Sequence, residues 1–324
     1  MDNVGGEAIL VLGMHRSGTS AVAGALSLLG AAPPAHIVPV APDNPSGFWG
    51  SEPILGTNDW ILNQGAATWY DCLGFDPDAL DARRRGTALT FIMLCMMTEF
   101  ADAALPLIKD PRICLLLDLW LPALRARATT PVVVLVLRSP GKVVESLTAR
   151  EHLPAAITTA LWLRHMLDAE FATRFCRRHV VLYDDLLRDW REALTLAGQR
   201  TAIAWPIGLE AAAPRMDRFI DARLRHFGPV GRRNAVDAMP FAGWLEEAFA
   251  ALRGLGRDPS DQFQLQRIDR VRTAFRMWSR AHGRTWAEAF LHRHEIRAPR
   301  PFEVPAGWHQ IAKDIPDAIT LPVE

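Results

Sequence analysis

The chain has 324 residues, 49% of them hydrophobic and 22% charged, with Lys+Arg and Asp+Glu equal at 36. This is the balance of a globular chain long enough to bury a large core without staples. The neutral charge excludes the strong positive field of bulk nucleic-acid binding, and four widely spaced cysteines (Cys72, Cys95, Cys114, Cys176) form neither a metal pattern nor a dense disulfide framework.

Residues 8–12 (AILVL) are a continuous apolar run, as expected of a central parallel strand buried on both faces. A Gly-bounded loop follows over 13–20, then a helix of small and apolar residues over 21–29, stopped at Gly30. This strand, loop and helix opens an α/β sheet. Residues 31–50 are rich in Pro, Asn and Gly and read as a long loop, a form that is often functional. Helical spacing resumes over 54–64 and again over 87–104. A short apolar stretch (105–108) leads into Lys109-Asp110-Pro111-Arg112, and 113–124 reads as a buried helix. The strongest strand is 132–137 (VVVLVL), β-branched and without polar alternation. Ser139 suits the N-cap and Pro140 the first turn of the helix that follows, to about residue 150. Helix is expected over 155–175 and 186–199, with a short strand at 180–183 between them. Beyond Pro214, residues 219–234 are Arg- and Gly-rich, 242–255 and 264–290 are helical, and the tail from Ala298 is Pro-rich and irregular. The expected fold is α/β, a P-loop-like three-layer sandwich with a central parallel sheet plus C-terminal helices. The expected division is 1–235, a helical extension 236–297, and a tail 298–324. The N-terminus lacks the basic region of a secretion signal, and no apolar run approaches the roughly 20 residues of a membrane span. A soluble, cytoplasmic protein is expected.

Two segments carry chemistry. Gly13-Met14-His15-Arg16-Ser17-Gly18-Thr19-Ser20 has the G-x-x-x-x-G spacing of a P-loop, but Thr19 stands where a Walker loop has lysine, and a cation lies inside the loop at Arg16. Successive backbone N–H groups and the helix N-terminus can still cradle an anion. Losing the Walker lysine disfavours ATP γ-phosphate chemistry and leaves a site for a 5′-phosphate. Arg138 ends the strongest strand, where α/β folds place ligands, and Ser146 lies eight residues on in the second turn of the next helix. Both can reach one phosphate.

Together these segments resemble the sulfotransferases that use 3′-phosphoadenosine 5′-phosphosulfate (PAPS), in particular the bacterial branch that opens GMHRSGTS. The resemblance runs from about residue 8 to 227. It implies that His15, Arg16, Ser17, Gly18, Thr19 and Ser20 bind the 5′-phosphosulfate and that Arg138 and Ser146 bind the 3′-phosphate. Tyr183, in Tyr183-Asp184-Asp185-Leu186, would lie near the adenine. Arg16 is the leading cation for the leaving group. Lys109 is the second, since Lys-Asp-Pro resembles a segment of tyrosyl-protein sulfotransferases. In this branch a Glu directly follows the Gly-[FY]-Trp stretch; here Gly50 follows Gly47-Phe48-Trp49. The base is then expected at Glu52, with His36 and Asp59 as alternatives. A carboxylate enclosed by Phe48 and Trp49 would have a raised pKa, useful for base work. Asn44, Phe48 and Trp49 are candidates for the acceptor side, and Arg225, Arg232 and Arg233 for a segment closing over the nucleotide. The acceptor is a hydroxyl compound, a carbohydrate or glycolipid first, with small molecules and peptides open; no metal and no nucleic acid are implied. The competing readings are a P-loop kinase using ATP and Mg²⁺, with Asp184 as its acid, and a nucleotide-binding module that has lost its base.

Overall fold

The computed structural model describes residues 6–40, 47–220, 241–293 and 303–314. Four strands, β1 (Glu7–Leu12), β2 (Leu107–Lys109), β3 (Thr130–Leu137) and β4 (Arg177–Leu182), form one sheet in the order β2-β1-β3-β4. All three pairings are parallel; Leu10 lies opposite Ile108 on one side and Val133 on the other, and Leu135 lies opposite Val180. Because side chains alternate along a strand, each strand feeds two cores. Ala8, Leu10, Leu12, Ile108, Val133, Leu135 and Leu137 enter one apolar cluster. Ile9, Val11, Leu107, Val132, Val134 and Val136 enter the other. Helices cover both faces, so the three-layer α/β arrangement expected from the apolar strands is the one observed.

The second cluster is closed by α1 (Thr19–Leu28), α8 (Trp190–Thr201) and α9 (Leu209–Phe219). The first is closed by α2 (Glu52–Gln64), α3 (Ala82–Glu99), α4 (Leu117–Ala126), α5 (Pro140–Glu151) and α6 (Ala155–Ala172). Helix α10 (Ala242–Arg257) joins this same cluster through Leu245, Ala248, Ala251, Leu252 and Leu255, and α11 (Gln262–Trp278) joins it through Ile268, Val271 and Phe275.

Several boundaries differ from the sequence expectation, each for a local reason. The helix expected over 186–199 is two, α7 (Tyr183–Arg188) and α8, because Asp189 is extended and its carboxylate accepts from the Glu192 N–H at 3.0 Å, a helix-starting cap. The helix expected over 264–290 is interrupted by a wide turn, Ser279–Gly283, before α12 (Arg284–Arg293). There the Ser279 hydroxyl donates to the Leu73 carbonyl, and a Cβ on Gly283 would stand 3.0 Å from that of Leu73. Residues 111–124 are a tight turn, Pro111–Leu115, followed by α4 rather than one helix. Ser139 does occupy the N-cap of α5 with Pro140 after it, but its side chain makes no capping bond. Helix α9 was not anticipated, and within the tail a short helix, α13 (Trp308–Asp314), sets Trp308 against Phe91 with ring centroids 6.1 Å apart. No helix among the described residues is long and apolar enough to cross a membrane.

Candidate active site

The loop after β1 turns through two left-handed residues, Arg16 at φ 66° and Gly18 at φ 92°. Gly18 is needed twice over. Its conformation favours glycine, and a Cβ there would stand 2.1 Å from Cδ2 of Tyr183. Gly13 likewise lets the loop pass the Val136 carbonyl, which a Cβ would approach to 2.7 Å. Gly18 is also the N-cap of α1, so the first N–H groups of that helix open onto the loop.

The segment after β3 meets this loop directly. Arg138 Nη1 donates to the Arg16 carbonyl at 2.9 Å, and its guanidinium lies 4.9 Å from the centre of the Tyr183 ring. Arg16 Nε donates to Ser146 Oγ at 2.9 Å. Ser146 accepts in that bond, which leaves its own hydroxyl proton to donate. Thus Arg16, Arg138, Ser146 and Tyr183, spread over the length of the sheet domain in sequence, form one cluster at the carboxyl ends of β1, β3 and β4. Ser17 Oγ and Arg138 Nε are buried there without a protein partner among the described residues, as is His15 Nε2 of the same loop. Buried polar groups are ordinarily satisfied, so a cradle that leaves a hydroxyl and a guanidinium nitrogen bare fits an anion. Burial also pulls the Arg138 guanidinium below its ordinary pKa.

Lys109 ends β2 beside them. Its Nζ donates to the Phe48 carbonyl at 3.0 Å, and Ser20 Oγ donates to the same oxygen at 3.2 Å. Burial pulls its pKa down to about 8, against the opposing pull of Asp110. A buried network braces this end of the strand. Arg112 Nε donates to Asp59 at 2.6 Å and Nη1 to Asp110 at 3.0 Å; Asn58 donates to Asp110 at 2.8 Å and accepts from the Trp120 indole at 2.9 Å.

The three sites considered for the base lie apart in character. Glu52 is exposed in the first turn of α2 rather than enclosed by Phe48 and Trp49. His36 binds Glu99 through Nδ1 at 2.7 Å. Asp59 is spent on Arg112. Trp49 turns at φ 54° onto Phe219, ring centroids 6.2 Å apart, and lies against Gly24 of α1. Phe48 lies under Arg150, 5.7 Å from its guanidinium carbon. Asn44, Arg225, Arg232 and Arg233 lie outside the described residues.

The residues packed beside His15 were not legible from any motif. Its ring stacks on Trp69 (centroids 4.3 Å, planes 31° apart) and meets His165 of α6 edge-on at 5.9 Å. Neither partner falls in a motif.

The fold and the cluster together define a parallel α/β protein in which the loops after β1 and β3 meet in one cluster of polar and cationic side chains. No protein-family model matches the chain, and no curated protein matches it. Among solved structures it is similar to the sulfotransferase domain from the Synechococcus PCC 7002 olefin synthase, at 17% identity and a TM-score of 0.45, covering 75% of this chain and 94% of that one. A likeness so distant leaves the functional argument to the residues.

Proposed function

We propose that this chain is a sulfotransferase that moves the sulfuryl group of PAPS to a hydroxyl-bearing acceptor, a carbohydrate or glycolipid being the first class to test. The observation that carries the reading is the junction of the two loops. Arg138 and Ser146 reach back across the sheet to Arg16 and leave donors bare beside it. A nucleotide with phosphates at both the 3′ and 5′ positions needs two adjoining anion sites on two strand ends. A nucleoside triphosphate bound by a Walker loop needs instead a lysine where Thr19 stands.

In this reading the backbone N–H groups from His15 to Ser20 and the Arg16 side chain hold the 5′-phosphosulfate. The Ser17 hydroxyl is a further donor to it. Arg138 and Ser146 hold the 3′-phosphate, whose planar bidentate recognition suits a guanidinium. Tyr183, fixed between Gly18 and Arg138, offers its ring to the adenine. Sulfuryl transfer, like phosphoryl transfer, is in-line and builds charge on the leaving phosphate. In this reading Arg16 and Lys109 offset that charge as preorganised cations.

The test is transfer from labelled PAPS to sugars, glycolipids, phenols and simple alcohols, with and without EDTA. The reading predicts labelled product and equimolar PAP (3′,5′-adenosine bisphosphate), unaffected by chelation. Mg²⁺-dependent consumption of ATP, with PAPS untouched, would replace it with a kinase. PAP binding without turnover on any acceptor would leave a non-catalytic nucleotide-binding module.

A further inference from the structure

Sulfuryl transfer releases a proton from the acceptor hydroxyl, and the groups so far placed around the donor are cations. Two imidazoles beside the loop are not. His15 Nε2 and His165 Nε2 are both buried, and neither has a hydrogen-bond partner among the described residues. His165 Nδ1 lies 2.8 Å from the Leu161 carbonyl, which can only accept, so its proton sits on Nδ1 and Nε2 carries a lone pair. The His15 ring is clamped between the Trp69 face and the His165 edge.

The charged and titratable groups that act most on His15 are Lys109 at the end of β2, Arg112 in the turn after it, Arg150 in the last turn of α5, and His165 on α6. His165 faces Arg164 and Asp168 on its own helix and Asp110 across from it. Arg112 itself is paired with Asp59 and Asp110. Burial first, then these cations, hold its pKa well below the usual histidine value. Its lone pair is therefore available at neutral pH. Lys109 is among the cations a bound phosphosulfate would offset. Donor binding should then raise the basicity of His15 at the moment a base is needed.

Resting on the sulfotransferase reading, we propose that His15 is the catalytic residue that takes the acceptor's proton, and that His165 acts through it as a positioning residue. In the step, the acceptor oxygen forms a bond to sulfur as the bond from sulfur to the 5′-phosphate oxygen breaks. The electron pair of that bond leaves with PAP, and the hydroxyl proton passes to His15. Glu52, His36 and Asp59 are less suited: the first is exposed, and the imidazole of the second and the carboxylate of the third are taken by Glu99 and Arg112.

The test follows the His15 ring by NMR in the full-length protein, from pH 4.5 to pH 8 or so, free and with PAP, using His15→Gln to assign its signal. The expected result is a titration moved upward by about one pH unit or more when PAP binds, and moved again in His165→Gln. PAPS turnover supplies the second readout. His15→Gln should lose on the order of 10²-fold or more in kcat, the usual contribution of a general base, a loss exceeding any change in PAP affinity. His165→Gln should shift the acid limb of the pH profile while largely keeping KM. A His15 signal indifferent to bound PAP, or unchanged kcat in His15→Gln, would overturn the proposal while leaving the sulfotransferase reading standing. Failure of the wild-type protein to bind PAP or turn over PAPS would take both readings down together.

Discussion

Gly18 sets the geometry of the cradle, because Tyr183 occupies the space a side chain would need. In Gly18→Ala the new Cβ would have to displace the ring from a 2.1 Å approach, in a conformation that already strains an L-residue. The loop and the ring cannot both keep their places, so PAP affinity should fall about 5- to 150-fold, the equivalent of the ~1–3 kcal/mol such strain costs. Calorimetric titration reads this directly, and unchanged affinity would mean that Tyr183 has no part in the site. Lys109 gives a pH signature. Held at a pKa of about 8 by burial, it is charged below that value and neutral above it. If its charge offsets that of the leaving phosphate, kcat/KM, which reports the free enzyme, holds up to about pH 8 and declines beyond it. A rate profile flat to pH 10 would show that the lysine charge is not used. The group with an ordinary exposed lysine pKa, near 10.4 or so, would place that limb more than two units higher.

At the scale of elements, chain segments were legible where their signal is local. The runs at 8–12 and 132–137 gave strands because continuous β-branched and aliphatic residues have no solvent face to offer, and both are indeed central in the sheet. Helix ends were less legible where a tertiary contact sets them. Gly283 and Ser279 break the α11–α12 segment against Leu73, over 200 residues away in the chain, and no sequence window contains that contact. Asp189 is the intermediate case, since its capping bond to Glu192 is local but an Asp in a helical pattern does not announce itself. Asp189→Ala should therefore destabilise the protein by about 1 kcal/mol, the usual value of an N-cap. Chemical denaturation would show it as a lower midpoint with an unchanged slope. No change would mean that α7 and α8 can fuse at no cost.

At the scale of the molecule, the cradle exists only through the order of the sheet. Placing β1 between β2 and β3 brings Lys109 to one side of the loop and Arg138 to the other, and β4 beyond β3 delivers Tyr183. Arg16, Arg138 and Ser146 stand at fixed offsets from a strand or a glycine and Tyr183 stands in a motif the resemblance supplied; the structure brings the four together, and their binding a nucleotide is the proposal. Trp69 and His165 were not legible in advance, because they reach His15 from a loop and from the middle of a buried helix, where neither spacing nor neighbours distinguish them from core residues. The central claim is that the junction of the loops after β1 and β3 holds a nucleotide phosphorylated at both ends of its ribose. Its most direct measurement is the affinity of the wild-type chain for PAP, ATP and ADP, in EDTA and then in Mg²⁺, alongside Arg138→Ala. Metal-independent binding that prefers PAP is expected, weakened about 10- to 100-fold in the variant, as loss of a charge-assisted phosphate contact of roughly 1.5–3 kcal/mol requires. Preference for ATP with Mg²⁺, or equal affinity for nucleotides with and without the 3′-phosphate, would contradict it.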